Sequence, residues 1–329
     1  MASVEVDSTW GMASIIHSEN QITSIDFHSE GKFLVSVTRE GSLHLIDSLT
    51  GEEKKKLYTK TYGIGTVKYT HHEACILLSS DKKSNDIRYL CVHDNRYLRF
   101  FKGHNDKVTS LSMSPISDHF ISASNDKTVL IWSLESSAPI ARLQLPHEIQ
   151  NPFVSYDSSG LVFGVMGKDT RYREHTLKLF DARNYDKGPF EEIAPTRDML
   201  VEATNVDQSQ RILESTWTDF TFSPDDKKVF VNTNSDVCLL LDGFNRAPPT
   251  VITNRKNETG LTLGACYSPD GKKVYVGNDD SEIQIYDTSN GQLLSMLTGH
   301  VTPVRSIKCN PKYEVVASGC FTSVLWLKR

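Results

Sequence analysis

The sequence predicts an all-β fold, a seven-bladed β-propeller whose ring is closed by a strand from the N-terminus. Three observations support this prediction: a complete repeat unit at residues 103–132, further copies of that unit at a regular spacing, and a last copy that lacks one strand. A period of about 40 to 45 residues is typical of four-stranded propeller blades. We therefore expect residues 1–329 to form one propeller, although length alone would favour two domains.

The complete unit at residues 103–132 begins with a Gly-His pair. Three short strands rich in β-branched residues follow, separated by turn residues, and Trp132 closes the third strand. One such unit cannot bury both of its faces alone, so neighbouring units must cover it. The unit resembles a WD repeat, although Ser133 follows the tryptophan where an aspartate is usual.

Weaker copies of this unit can be counted along the chain. Successive first strands begin 41 to 45 residues apart, except for one gap of 66 residues between the fourth and the fifth. Seven starts at this period predict seven blades. The expected starts lie near Ile22, Thr66, Val108, Phe153, Asp219, Leu263 and Val304. The expected third strands end at residues 46–47, 93–94, 132–133, 180–181, 241–242, 286–287 and 326–327.

The last blade is one strand short, because the chain ends at Arg329 soon after Trp326. An open ring would expose an unpaired strand edge. We therefore predict that residues 13–16 supply the missing outer strand, and that removing about the first 20 residues sharply lowers stability.

The long gap places about 22 extra residues around residues 196–216, between blades four and five. This stretch is polar and predicts an exposed insertion, and long loops on rigid scaffolds often bind partners. A second extension, residues 167–175, lies between the second and third strands of blade four.

Composition excludes several classes of protein. The net charge of -5 argues against direct nucleic-acid binding driven by overall basicity. A basic start followed by an apolar run is absent, and no stretch is apolar and long enough to cross a membrane. The six cysteines form no Cys-x-x-Cys pair, so we expect reduced, mostly buried thiols and neither a metal nor a cofactor.

His104, Asp126 and Trp132 have side chains that could suggest catalysis, but a propeller blade gives them a structural role. In a complete WD-type blade, the His, a second-strand Ser, the turn Asp and the Trp form one hydrogen-bonded chain. The Ser here is Ser122 or Ser124. No phosphate loop, nucleophile elbow or zinc-binding helix motif is present, so we expect no enzymatic activity.

The six-residue spacing from Asp126 to Trp132 can be sought in the other blades. Asp280 stands six residues before Tyr286, so blade six keeps part of the arrangement. In the last blade, His300 and Trp326 are present, but Cys320 occupies the position of the aspartate. The structural candidates are therefore His104, Asp126, Trp132, Asp280, His300 and Trp326.

Basic residues are concentrated in loops on one rim of blades one to four, whereas blades five to seven offer few. Acids such as Glu40, Asp81 and Asp106 are interspersed, so a simply solvated set of loops is one interpretation. The alternative is a cationic half-rim that binds an acidic or phosphorylated peptide. Its candidate partner-binding residues are Arg39, Lys82, Lys83, Arg88, Lys107, Lys127, Arg171 and Arg173.

Several phrases resemble one particular WD-repeat family, and Asp-Lys-Gly-Pro-Phe at 186–190 is the most specific of them. That family is the WD-repeat subunit shared by the COMPASS histone H3 lysine 4 methyltransferase and the phosphatase module of the cleavage-and-polyadenylation factor. The resemblance covers nearly the whole chain, but the insertion near 196–216 departs from the shorter family pattern. The other phrases are residues 62–63, 69–71, 86–90, 93–101, 103–104, 112–115, 157–163 and 310–313.

The resemblance implies a non-catalytic nuclear scaffold that acts in chromatin modification and transcription termination. Such a propeller is a monomer within a larger complex and holds a segment of a methyltransferase-complex or phosphatase-regulatory subunit. It couples that complex to transcribing RNA polymerase II, whose phosphorylated tail would suit a cationic half-rim. Which of the two complexes this chain joins stays open.

Two other functions compete with this interpretation. Phe-Asp-Ala-Arg at residues 180–183 approximates a phrase found in substrate receptors of cullin–RING ubiquitin ligases, although Phe180 replaces the usual tryptophan. A brace within its own blade is the alternative role for Arg183. A propeller hydrolase is disfavoured because no nucleophile motif is present.

Overall fold

The computed structural model describes residues 6–59, 61–172, 174–243 and 247–328. Within these ranges, the strands form seven four-stranded antiparallel sheets arranged as the blades of a propeller. The predicted fold class is therefore confirmed. Six sheets consist of consecutive strands, and the seventh combines both ends of the chain.

The blade strands follow the order of the chain. Blade one contains β2 (Ile22–Phe27), β3 (Phe33–Thr38), β4 (Ser42–Asp47) and β5 (Glu53–Tyr58). Blade two contains β6 (Val67–Tyr69), β7 (Cys75–Ser79), β8 (Ile87–Cys91) and β9 (Arg96–Phe101). Blade three contains β10 (Val108–Met113), β11 (His119–Ser124), β12 (Thr128–Ser133) and β13 (Ala141–Gln144). Blade four contains β14 (Ile149–Tyr156), β15 (Val162–Asp169), β16 (Glu174–Asp181) and β17 (Glu191–Ile193).

The remaining blades follow the same plan. Blade five contains β18 (Trp217–Phe222), β19 (Lys228–Thr233), β20 (Cys238–Asp242) and β21 (Thr250–Ile252). Blade six contains β22 (Ala265–Tyr267), β23 (Lys273–Gly277), β24 (Ile283–Asp287) and β25 (Leu293–Leu297). Blade seven contains β26 (Ser306–Cys309), β27 (Val315–Gly319), β28 (Thr322–Lys328) and β1 (Trp10–His17).

The ring is closed by the N-terminal strand β1, which is longer than the four residues expected from the sequence. It pairs antiparallel with β28, from Trp10 opposite Lys328 to His17 opposite Thr322. The segment before β1 also contacts blade six, where the Asp7 carboxylate accepts a hydrogen bond from Ser295 Oγ at 3.1 Å. The last blade thus has no missing outer strand.

The core lies between neighbouring blades. Seven clusters of buried apolar side chains occur among the described residues, and each joins two adjacent blades. Trp132, for example, packs with Phe101 and Phe120 between blades two and three. Burial of each such side chain stabilises the fold by roughly 1.5–3 kcal/mol, so each blade depends on its neighbours.

The first strands of blades four and five begin earlier than the sequence indicated. They start at Ile149 and Trp217, whereas the expected starts were Phe153 and Asp219. In both strands the pairing register shifts just before the expected start. A β-bulge lies at the same place in blades one and three, whose first strands do start at the expected Ile22 and Val108.

The insertion between blades four and five is helical, which the sequence interpretation missed. It contains α1 (Arg197–Ala203) and α2 (Val206–Glu214), whose N-caps are Thr196 and Asn205. Leu200 and Ile212 are fully buried in the cluster between blades four and five. The insertion is therefore packed onto the ring, and neither helix is long and apolar enough to span a membrane.

The loops define two faces. The upper face carries the loops between second and third strands and those between blades. The lower face carries the loops between first and second strands and those between third and fourth strands, including a 3-10 helix at Tyr185–Lys187. The predicted cationic half-rim belongs to the upper face.

Candidate functional site

Blade three contains the hydrogen-bonded chain that its sequence suggested. Trp132 Nε1 donates to Ser122 Oγ at 2.8 Å, and His104 Nε2 lies 2.7 Å from the same oxygen. On its other side, His104 Nδ1 lies 3.2 Å from Asp126 Oδ2. Thr128 Oγ1 donates to Asp126 Oδ1 at 2.6 Å. The chain identifies Ser122 as its second-strand member and joins the second and third strands to the upper loops.

The pKa values of both titratable side chains of this hydrogen-bonded chain are lowered. Burial lowers the pKa of His104 despite the neighbouring carboxylate. Burial alone would raise the pKa of Asp126, but hydrogen bonds from Thr128 and the Asn105 backbone N–H, together with His104, bring it below its ordinary value. A buried carboxylate thus accepts several hydrogen bonds, which is the pattern of a structural network.

Blade seven repeats the chain with a cysteine in place of the aspartate. Trp326 Nε1 donates to Ser318 Oγ at 2.7 Å, and His300 Nε2 lies 2.6 Å from that oxygen. His300 Nδ1 lies 3.0 Å from Cys320 Sγ, and Thr322 Oγ1 lies 3.3 Å from it.

The thiol of Cys320 has an unusual acidity. Burial alone would raise its pKa, but hydrogen bonds with His300, Thr302 and Thr322 lower it to about 6. A neighbouring histidine and hydroxyl donors stabilise a thiolate in this way. Cys320 can therefore carry, at neutral pH, the negative charge that the aspartate carries in blade three.

Blade six does not form such a chain, which corrects the structural role expected for Asp280. Its carboxylate pairs instead with Lys256 Nζ at 2.7 Å on the upper surface. The Tyr286 hydroxyl donates to Gln284 Oε1 at 2.6 Å, within the same strand. Spacing alone identified Asp280, but the blade lacks the histidine that would connect it to the third strand.

Two of the rim cations of blades one to three, Arg39 and Lys107, pair with the same acid, Asp81. Asp81 Oδ2 lies 2.5 Å from Arg39 Nε, and Asp81 Oδ1 lies 2.6 Å from Lys107 Nζ. Burial alone would raise the pKa of Asp81, but hydrogen bonds from Lys107 and Arg39 lower it. The Asp81 side chain is almost fully buried, so it bridges two exposed cations across neighbouring blades.

Other rim cations are paired in the same way. Lys82 Nζ lies 2.6 Å from Glu40 Oε2, and Arg171 bonds to the Glu148 carboxylate. The Lys82–Glu40 pair joins blade two to blade one, whereas the Arg171–Glu148 pair lies within the upper end of blade four. The acids interspersed in the sequence therefore reduce the net positive charge of the half-rim.

Two rim lysines lack such a partner among the described residues. Lys83 is exposed and adopts a left-handed conformation with φ +61° in its turn. Lys127 also adopts a left-handed conformation, with φ +66°, and is half-buried. Arg173 lies outside the described residues.

Arg88 is not a surface residue, which corrects its assignment to the binding rim. Its side chain is fully buried, and its guanidinium lies 5.0 Å from the ring centre of Tyr62 and 5.6 Å from that of Tyr97. It donates to the Gly63 carbonyl and to the Tyr97 hydroxyl. Burial lowers the pKa of this guanidinium. Arg88 therefore braces the connection between blades one and two from inside.

A cleft beside the insertion was not foreseen from the sequence. It has a volume of about 800 Å³ and lies between the helices and the extended loop of blade four. His175 stacks on Trp217 at its base, with ring centres 4.8 Å apart, and burial lowers the pKa of His175 to about 3. His175 is a single histidine within a strand, and nothing in the sequence around it indicated that it packs on Trp217.

The remaining candidates can be placed briefly. Arg183 is exposed, with Nε 3.5 Å from Asp181 Oδ1, so it contacts its own blade. The six cysteines are free thiols, although the sulfur atoms of Cys266 and Cys309 are only 3.3 Å apart. Within the described ranges, no three His, Cys, Asp or Glu side chains are grouped as metal ligands.

Comparisons with known proteins agree with this fold. Residues 13–47, 95–133 and 291–325 match the family described as WD domain, G-beta repeat. WD repeat-containing protein 82 of Drosophila melanogaster is 34% identical over 94% of this chain and 90% of its own length. COMPASS component SWD2 of Saccharomyces cerevisiae is 28% identical over 89% of this chain and 87% of its own. Set1 complex component swd2 of Schizosaccharomyces pombe is 29% identical over 81% and 71%.

Proposed function

The chain belongs to the family of WD-repeat proteins that includes WD repeat-containing protein 82, and we propose that it is a scaffold subunit of a Set1/COMPASS-type histone H3 lysine 4 methyltransferase complex. The observation that carries this proposal is the likeness, over most of the chain, to two proteins named as Set1 and COMPASS components. We infer a nuclear location from the same likeness.

We propose that the scaffold is non-catalytic. Its most enzyme-like side chains, His104 and Asp126, are engaged in the hydrogen-bonded chain that holds the strands of blade three to the upper loops. Cys320 and His300 occupy the matching positions in blade seven and bond to the same kinds of partner. Purified protein should therefore show no hydrolysis of generic esters or phosphates, and activity lost on Cys320→Ala would contradict this.

The partner of the upper rim is a finer proposal. We infer that the rim of blades one to three binds the phosphorylated tail of RNA polymerase II and so couples the complex to transcription and its termination. Lys82 and Lys83 are exposed there, and the Lys82–Glu40 pair lies at the surface, where ion pairs contribute only about 0–1 kcal/mol. A phosphate, with its greater charge, can compete for such a lysine.

Purification of the tagged protein from its own cells tests the scaffold role. Methyltransferase subunits should be recovered in stoichiometric amounts. Recovery of phosphatase and cleavage-and-polyadenylation subunits as well would add the second complex that the family resemblance implies. A ubiquitin-ligase adaptor that is lost on Arg183→Ala, without methyltransferase subunits, would replace the proposal with the substrate-receptor alternative.

Peptide binding tests the upper rim separately. A heptad-repeat peptide of the polymerase tail should bind the purified protein only when phosphorylated, and more weakly as salt concentration rises. The double variant Lys82→Glu, Lys83→Glu should weaken binding at least tenfold. The matched control is Lys227→Glu, Lys272→Glu, in lower loops of blades five and six. Equal affinity of both variants and the wild type would exclude this rim.

A further inference from the structure

The lower face of blades three and four exposes a group of large apolar side chains. Ile116 is 63% exposed, Phe190 53%, Ile140 50% and Leu161 40%. Each lies in or beside a lower loop of these two neighbouring blades. Exposed apolar residues are ordinary when scattered, but a group on one face marks an interaction site. We refer to these four residues as the lower apolar surface.

Ile116 and Leu161 lie on adjoining loops of the two blades. The loop of blade three rests on the turn of blade four, because a Cβ added at Gly160 would lie 2.8 Å from Ile116 Cγ1. Leu161 follows in that turn, and its carbonyl accepts from the Ala182 backbone N–H at 2.8 Å. Ala182 packs in one cluster with Ala141, the neighbour of Ile140.

Phe190 is presented by a rigid turn. The 3-10 helix Tyr185–Lys187 ends at Gly188, whose φ of +88° favours glycine. Pro189 then restricts the backbone, and the Phe190 N–H donates to the Leu179 carbonyl at 2.9 Å. The backbone at Phe190 is therefore restrained by the turn, and the side chain is 53% exposed. Preorganised aromatic side chains are typical centres of binding energy in protein interfaces.

The exposed charges carried by these lower loops are mostly negative, although Arg99 of blade two donates to the Leu134 carbonyl. The lower loops of blade three, residues 114–118 and 134–140, contain two acids and neither lysine nor arginine. In blade four, Arg183 pairs with Asp181 at 3.5 Å and Lys178 with Glu192 at 3.8 Å. The two acids of blade three are the exposed Asp118 and Glu135, and the lower loop of blade four adds the exposed Asp186 and Lys187.

We propose that the lower apolar surface binds a segment of a partner protein in which apolar anchor residues are flanked by lysine or arginine. The apolar side chains would cover Ile116, Leu161 and Phe190, and the basic residues would face the acids at the rim. This inference rests on the proposed scaffold function and assigns the surface that holds the methyltransferase subunit. It also separates the two partners, since the upper rim carries the opposite charge.

The test uses the full complex purified from the protein's own cells through tagged variants. The surface variant is Ile116→Glu, Phe190→Glu. The matched control is Leu49→Glu, Leu294→Glu, two leucines of similar exposure (49% and 46%) in blades one and six. Thermal unfolding verifies that each variant folds as the wild type does, and quantitative mass spectrometry measures the methyltransferase subunit recovered.

We expect the surface variant to recover at least tenfold less methyltransferase subunit and the control to recover the wild-type amount. The charge variant Asp118→Lys, Glu135→Lys should lower recovery too, by a few-fold. Cross-links from Lys187 should fall in a partner segment that combines apolar and basic residues. Undiminished recovery with the surface variant would overturn the inference while leaving the scaffold role intact. No methyltransferase subunit with the wild type would instead overturn both.

Discussion

Blades three and seven contain the same Trp–Ser–His chain, with donor–acceptor distances that agree within 0.1 Å. They differ in the fourth member, which is Asp126 in blade three and Cys320 in blade seven. They also differ in assembly, because blade three is built from consecutive strands and blade seven needs β1. The geometry of the hydrogen-bonded chain is therefore the same in both blades, although its acidic member and the order of the strands in the sequence differ.

The exchange of Asp126 for Cys320 indicates which features of the hydrogen-bonded chain are required and which can vary. The histidine needs an acceptor at Nδ1, and the position needs a group that can bear negative charge in a buried place. A carboxylate does so with several hydrogen bonds from neighbouring donors. A thiolate has one large, weakly accepting atom, so blade seven should be held less firmly by its network than blade three.

The largest effect should come from the strand that only blade seven borrows. Deletion of residues 1–17 removes β1, exposes the edge of β28 and uncovers Trp326 in the adjoining cluster. We expect a loss of more than about 4 kcal/mol of unfolding free energy, or an insoluble protein. Thermal unfolding measures it, and deletion of residues 1–5 is the control. An unchanged midpoint would show that closure does not depend on this strand.

A smaller loss should follow Asp126→Ala in blade three. This change leaves the Thr128 hydroxyl and the Asn105 N–H without their acceptor, and His104 Nδ1 keeps only Thr128 Oγ1, 3.1 Å away. Unpaired buried polar groups cost about 1–3 kcal/mol each, so we expect a loss of about 2–3 kcal/mol by denaturant unfolding. Glu135→Ala, at an exposed acid of the same blade, should change stability by less than about 0.5 kcal/mol.

Cys320→Ala should cost less, about 1 kcal/mol at pH 7, and its cost should depend on pH. The pKa of this thiol is about 6 in the folded protein and 9.0 ordinarily, so between these values the unfolded chain binds more protons. The stabilisation by Cys320 therefore increases from pH 6 to pH 9 and is lost as the pH falls through 6. Unfolding of wild type and variant across this range measures it, and parallel stability curves would refute a folded-state thiolate.

The smallest change should result from making blade seven resemble blade three. Cys320→Asp restores the carboxylate opposite His300 and should alter stability by less than about 1 kcal/mol at pH 7. Its stability relative to the wild type should fall from pH 6 to pH 9, because the carboxylate is already ionised and adds nothing further there. A loss as large as that of Asp126→Ala would show that the position is shaped for sulfur.

Part of this fold can be predicted from short stretches of the sequence. The blade count, the third strands of every blade except the second, and the residues of the network in blade three all depend on short, repeated spacings, which the chain displays directly. In blade two the third strand ends at Cys91, and the expected end at residues 93–94 lies in the turn that follows. The first strands of blades four and five were misplaced because their expected starts lie just after a bulge, whereas the strands begin before it. The helices of the insertion were missed because each is short, and Leu200 and Ile212 are their only fully buried apolar residues.

The candidate site shows the limit more clearly. Sequence alone predicted a rim rich in bases, and it determined the fold that brings those loops together. Only the tertiary structure decided that Asp81 pairs with both Arg39 and Lys107, and that Arg88 lies inside the ring. The lower apolar surface likewise joins loops of two blades. Local sequence determines the repeat because strand period and turns are short-range, whereas burial and charge pairing depend on which blade lies beside which.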